Sequence, residues 1–281
     1  MKKNTVLLIF TLIAFVTFSF GQEKEKIKGT RIVKVTQQDV KDFESIEVED
    51  NIEIFLVKGD KCDIEIEADD NLHDVISIDV KEKTLYISSL KDVSFAKKYS
   101  VRVTYTDDLK MVTAKEEASV TALATIKLKD FTFKSFGTAK IYAYAEAETF
   151  TLMANDKSKI ELNLTSQQTT TIELSKNANF KGLINSNQLT FDMYQKTVAV
   201  VEGSATDLVI RTDNDSDFNG KNLIVKNAEI NVEGYSDCKI QVSTMATINA
   251  VGNSELELYG NPKIEITSFL DKATIYKKTL K

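Results

Sequence analysis

Asp213, Asp215, Asp217 and Asn219 crowd one acidic turn, and Asp215-x-Asp217-x-Asn219-Gly220 reproduces the first half of a calcium loop. Such a loop gathers several hard oxygens after a tight bend. Its twelfth position needs a bidentate Glu, and here that position is Lys226, which removes a ligand and adds a repelling charge. The turn is a weak calcium candidate, with solvation of the acids the preferred alternative. His73, the only histidine, stands beside Asp74 and has the chemistry of a general base. No nucleophile motif accompanies it, so a loop histidine in water is expected. The sequence holds no Cys/His metal cluster and no Gly-rich phosphate loop, so no catalytic residue and no cofactor are expected. Tyr142 and Tyr144 alternate with Ile141 and Ala143; if the latter point inward, the two rings face outward and can contact a carbohydrate. Tyrosine is equally a good strand former, and the adjoining repeat offers Glu161 and Asn163 rather than further aromatics. Cys62 and Cys238 are the only cysteines. In an oxidising compartment they could bridge the N-terminal region to the rest. Each falls at an apolar position of an alternating strand, so buried free thiols are preferred.

A repeat sets the elements that must hold these side chains. From Leu109 onward a unit of about 19 residues recurs: an alternating apolar strand, a polar turn, then a small residue opening a second alternating strand. The small residue is Ser119, Ala139, Ser158, Ala178, Thr197, Ser216, Ser236, Ser254 and Ala273 in successive units. Two places later come Ile141, Ile160, Phe180, Ala199, Phe218, Cys238, Leu256 and Ile275, with Thr121 as the exception. Six places before it stand Phe133, Leu152, Ile172, Phe191, Ile210, Ile230 and Ile248, with Thr113 and Thr267 at the two ends. A solenoid requires such spacing, because each rung sets its inward side chains over those of the rung before.

Lys2 and Lys3 precede an uncharged, mostly apolar run from Val6 to Phe20, and Ser19-Phe20-Gly21 supplies small residues where a signal peptidase cuts. The run is shorter than the roughly 20 apolar residues of a spanning helix, so residues 1–21 read as a secretory signal and the remainder as not membrane-spanning. The formal charge is −6, and it becomes more negative once Lys2 and Lys3 leave with the leader. An acidic chain without a basic run gains little from displacing counterions, which excludes nucleic acid as a partner. A single proline in 281 residues suits a chain built of strands, where proline would delete ladder hydrogen bonds.

Upstream of the repeats the pattern loosens. Residues 22–30 are charged and aperiodic and read as a mobile leader, whereas Ile46–Val48, Ile52–Val57, Cys62–Ala68, Ile76–Val80, Thr84–Ser88 and Tyr99–Tyr105 largely alternate like half-buried strands. Phe43-Glu-Ser-Ile-Glu-Val48, Ile52-Glu-Ile-Phe-Leu-Val-Lys-Gly-Asp60, Leu85-Tyr-Ile87, the repeats and the closing Leu258-Tyr-Gly-Asn-Pro-Lys-Ile264 carry a resemblance in their order along the chain. The sequence resembles the putative auto-transporter adhesin, head GIN domain family of secreted Bacteroidetes proteins over nearly its whole length after the leader. The resemblance implies a right-handed β-helix-like fold outside the cytoplasm. It departs from the family's Ser-Gly-rich turns, having Asn155-Asp-Lys-Ser158, Gly234-Tyr-Ser-Asp237 and Gly252-Asn-Ser254 instead; Asn and Asp tolerate left-handed turns, so the fold survives the exchange. The sequons Asn163-Leu-Thr165 and Asn214-Asp-Ser216 carry little weight in a chain of the bacterial origin that the resemblance implies.

The expected architecture is all-β: a right-handed parallel β-helix, or β-solenoid, with rungs of about 19 residues and a less regular N-terminal β region. Residues 22–42 form a leader and first strand, and 43–281 a single solenoid domain, with opening coils or a cap over 43–108 and regular repeats over 109–281. The expected function is non-enzymatic: an exported, adhesin-like binding or scaffold protein of the periplasm, outer membrane or extracellular space. Its expected partner is an envelope or surface protein, a polysaccharide, or a second copy of the chain. The alternative is a polysaccharide-active β-helix enzyme, lyase or hydrolase, using the turn from Asp213 to Asp217, since such enzymes need carboxylates that converge across adjacent rungs.

Overall fold

The computed structural model describes residues 24–279, so the signal peptide expected at 1–21 lies outside the described residues. The N-terminal strands are β1 (Lys26–Lys28), β2 (Val33–Asp39), β3 (Ser45–Val48), β4 (Glu53–Lys58), β5 (Asp63–Asp69), β6 (Ile76–Lys81), β7 (Thr84–Ser89), β8 (Asp92–Ser94) and β9 (Tyr99–Tyr105). The repeats supply β10 (Met111–Ala114), β11 (Ser119–Ala122), β12 (Ile126–Lys127), β13 (Asp130–Ser135), β14 (Lys140–Ala154), β15 (Lys159–Ser175), β16 (Asn179–Tyr194), β17 (Val198–Asp213), β18 (Asp217–Val232) and β19 (Asp237–Ala250). The last turn is β20 (Glu255–Tyr259), β21 (Lys263–Phe269) and β22 (Thr274–Lys277). From β10 to β22 every pairing is parallel, rung upon rung, as a β-solenoid requires.

The corner of each rung explains the repeat. Ala139, Ser158, Ala178, Thr197, Ser216, Ser236 and Ser254 stack in register and are all buried. Two places earlier, Gly137, Asp156, Lys176, Gln195, Asn214, Gly234, Gly252 and Asp271 all take a positive φ, between 58° and 81°. One left-handed residue turns the chain sharply, and Gly, Asn and Asp do so at least cost. Buried hydroxyls then close the corner: Ser158 Oγ donates to the Asn155 carbonyl at 2.7 Å, and Ser216 Oγ to that of Asp213 at 2.8 Å.

Stacking corrects the register at both ends. Ser119 pairs with Lys140, not Ala139, so the small position is Ala118 and the apolar ones are Val112 and Val120, all fully buried. The exceptions Thr113 and Thr121 thereby disappear. At the far end Ile266, not Thr267, pairs with Ile248, and Thr267 bulges out of the ladder. The rung pattern also extends upstream: β3 and β4 pair in parallel with β10 and β11, with Asp50 at the left-handed corner (φ 67°).

Inward volumes compensate within a rung. A Cβ on Gly182 would lie 2.8 Å from the Phe180 ring, and one on Gly220 would lie 2.5 Å from that of Phe218. Where the first inward residue is the small Ala199, the second is the larger Val201. Phe180, Phe191 and Phe218 meet edge to face at 5.8 and 5.2 Å, the geometry favoured by ring quadrupoles.

The N-terminal strands close one end. β7 and β9 add a parallel layer to β3 and β4, then β6 and β5 run antiparallel over them, with β2 outermost on β5. Residues 26–28, expected in a mobile leader, form β1 against β8. Asp69, wholly buried at the end of β5, accepts the backbone N–H groups of Arg31 (2.7 Å), Lys97 (3.2 Å) and Lys98 (3.1 Å). Burial pushes its carboxyl pKa up, but these three donors outweigh burial and leave it below the usual carboxylate value.

Truncating Phe218→Ala should cost about 3–5 kcal/mol, read as a lower denaturant midpoint; an unchanged midpoint would show that the aromatic stack is not part of the core. Asp69 has a lowered folded-state pKa, so its stabilisation is present above the unfolded value and fades as pH falls through the folded one. Asp69→Asn should lower stability at neutral pH by about 2 kcal/mol and flatten the acid limb of the stability curve. An acid limb identical to the parent's would refute that assignment.

Candidate functional site

In each rung the side chains three and five places after the buried small residue point outward, and across rungs they form two parallel columns. One runs Thr121, Tyr142, Glu161, Lys181, Val200; the other runs Tyr144, Asn163, Leu183, Glu202. Between them lies the backbone of Ala143, Leu162 and Gly182, whose side chains, where present, turn inward. These columns line a groove of about 490 Å³ that crosses β11, β14, β15, β16 and β17. Tyr142 is 37% and Tyr144 58% exposed, so both rings are open to a ligand. The structure therefore brings the two sequence-predicted tyrosines together with Glu161 and Asn163. It adds Lys181, Leu183 and Glu202, which sequence reasoning missed. Their signal was present in the shared offset from the buried small residue.

The groove combines flat aromatic and aliphatic surface with amide, hydroxyl and carboxylate groups. That mixture suits a ligand with apolar faces and hydroxyl rims. Its two carboxylates, Glu161 and Glu202, stand on strands two rungs apart, about 10 Å along the stacking direction alone.

The acidic turn lies elsewhere. Asp213 ends β17, with Arg211 Nη2 3.6 Å from its carboxylate. Asn214 and Asp215 occupy the left-handed corner with φ of 58° and 77°. Asp217 and Asn219 follow on β18; Asp217 stacks on Asp237 of the next rung, while the Asn219 side-chain oxygen accepts the Lys221 N–H at 3.4 Å. Burial pushes the Asp217 pKa up, Lys239 opposes this, and the neighbouring Asp237 charge adds to the rise. Among the described residues no group of three or more His, Cys, Asp or Glu is placed to hold a metal ion.

His73 is not a free loop side chain in water. It opens a short 3-10 turn, with Nδ1 3.0 Å from Thr36 Oγ1 and Nε2 3.2 Å from the Ala68 carbonyl oxygen. The carbonyl can only accept, so Nε2 donates to it, while Nδ1 shares a hydrogen bond with the Thr36 hydroxyl. The ring thus ties β2 to the end of β5. Cys62 and Cys238 are both buried free thiols, and burial pushes the Cys238 thiol pKa well up, which makes it unreactive.

Comparison with known proteins agrees with this architecture. The family described as putative auto-transporter adhesin, head GIN domain matches residues 42–171 and 158–262. No curated protein matches the chain. A crystal structure described as a putative lipid binding protein from Parabacteroides distasonis ATCC 8503 is similar with a TM-score of 0.63 at 15% identity, covering 92% of this chain and 100% of that one. A putative adhesin from Parabacteroides merdae ATCC 43184 gives a TM-score of 0.56 at 16% identity, covering 92% and 100%. Another putative adhesin from Parabacteroides distasonis ATCC 8503 gives 0.55 at 16%, covering 90% and 100%. At these identities the likeness is one of fold.

Excess calcium should leave the melting temperature unchanged, because a ligand stabilises a fold only by binding the native state better than the unfolded one. A calcium-dependent rise that disappears in the double variant Asp215→Asn, Asp217→Asn would instead place a cation at this turn.

Proposed function

We propose that this chain, which belongs to the putative auto-transporter adhesin, head GIN domain family, is an exported, non-enzymatic binding protein whose groove at Tyr142 and Tyr144 takes a neutral glycan. The observation that carries the reading is the coincidence of both exposed tyrosines with the 490 Å³ groove. Pyranose rings present C–H faces to aromatic and aliphatic walls, here Tyr142, Tyr144, Leu183 and Val200, and hydroxyl edges to Asn163, Thr121 and the two carboxylates. Lys181 is outnumbered by Glu161 and Glu202 in the lining, which disfavours an anionic polysaccharide. The names of the similar structures, adhesins and a lipid-binding protein, support binding rather than catalysis. Packed rings, including the Phe133 and Phe150 pair at 6.1 Å, fill the rung interior and favour the surface groove over an internal acyl site. The leader expected at 1–21 supports export to the periplasm, outer membrane or cell exterior, where envelope and surface glycans are within the groove's reach.

Titration calorimetry with neutral oligosaccharides of the cell surface tests the reading. Tyr142→Ala and Tyr144→Ala should each weaken binding about tenfold or more, about 1.4 kcal/mol. Stability should stay within about 0.5 kcal/mol of the parent, because both rings are surface side chains. Equal affinity in both variants, or binding of long-chain lipid but of no glycan, would overturn it.

A further inference from the structure

The two ends of the solenoid are finished differently. Antiparallel strands cover the N-terminal end. At the other end, β21 pairs only with β19 and β22 only with β20 among the described residues. Ile264 and Ile266 stand in register with Ala246 and Ile248, which are wholly buried, yet they are 42% and 52% exposed. Phe269, in register with the buried Ala250, is 51% exposed as well. The last rung thus leaves in water both inward-phase side chains and a row of ladder N–H and C=O groups. A lipid surface would cover the side chains but leave those backbone groups unpaired. Another strand satisfies both.

We propose that this end face docks against the same face of a second copy of the chain, the two β21 strands pairing antiparallel about a two-fold axis at Ile264. Symmetry and charge select that register. In a two-fold pair, inward-phase residues must meet inward-phase residues, so the axis passes through a residue rather than between two. An axis at Lys263 sets lysine against lysine, and one at Glu265 sets glutamate against glutamate. An axis at Ile266 sets Glu265 against Thr267. Only an axis at Ile264 sets Lys263 opposite Glu265 of the second copy, and does so twice, a favourable cross-strand pairing. Both charges are exposed and have no ion-pair partner among the described residues. The bulge at Thr267 lies beyond the segment this register uses.

Sedimentation of the purified full chain over a concentration series tests the proposal, with melting curves to confirm that each variant is folded. The parent should dimerise, and Ile266→Lys should be monomeric throughout. Lys263→Glu and Glu265→Lys should each shift the series toward monomer. The double reversal Lys263→Glu, Glu265→Lys should restore the dimer, which a merely structural role for either residue would not produce. A parent that stays monomeric, a dimer that survives Ile266→Lys, or a double reversal no better than the singles would overturn the proposal. Loss of vesicle binding in Ile266→Lys from a monomeric parent would also overturn it, and would assign the face to lipid instead.

Discussion

Parallel rungs can stack only if every corner is as thin as the hydrogen-bonded spacing between strands, about 4.8 Å. The chain meets that constraint with a left-handed residue followed two places later by a buried small one. Only the opening rung, next to the cap, carries a large residue at that place: Ile52, wholly buried in register with Ala118. Identity at the left-handed position is freer, because its side chain points into solvent: Glu116, Lys176 and Gln195 serve there beside Gly, Asn and Asp. A non-glycine residue there gives up about 1–2 kcal/mol, a cost the repeated parallel ladder absorbs. At Lys176 part of the loss is offset by its ammonium, which lies 2.7 Å from Asp156 in the same column of the preceding rung.

Because the corner sets the phase of everything after it, the repeat was readable wherever the corner was unambiguous. From Ala139 to Ser254 the spacing alone places the inward column, the outward column and hence the orientation of Tyr142 and Tyr144. At Ser119 two small residues adjoin, Ala118 and Ser119; the polar exceptions Thr113 and Thr121 are the sequence's sign of a one-residue offset, and the pairing with Lys140 fixes it. The opening coil, β3 and β4, stands apart from the regular repeats because the strands of the cap separate it in sequence from β10 and β11. A period search sees only neighbours in the chain, whereas stacking joins neighbours in space. For the same reason Lys181, Leu183 and Glu202 were invisible as a group: they lie on different rungs and share nothing local except an offset from the corner.

Antiparallel strands close the N-terminal end because a parallel ladder has no internal reason to stop. Reversing strand direction lets β6 satisfy the exposed edge of β7 through a tight turn and lets β5, a short loop after β4, lie against β9, whereas another parallel strand would need a further crossover. Asp69 and His73 fasten that cap by hydrogen bonds to backbone and to Thr36. His73 looks like chemistry in the sequence, yet in the structure its ring, like the Asp69 carboxylate, joins segments of the cap to one another.

The groove lies on the part of the rung that the core does not constrain. Inward positions answer to one another in volume, as Phe180 does to Gly182 and Ala199 to Val201. The outward columns answer only to solvent and to the rung above and below. Substituting a side chain in the groove therefore alters its lining without repacking the interior. Changing an inward residue moves the strand that carries the groove. A rigid ladder carries its outward columns while its stability resides in the inward ones, so the fold constrains volume and phase more than residue identity, in keeping with its being shared with a structure only 15% identical.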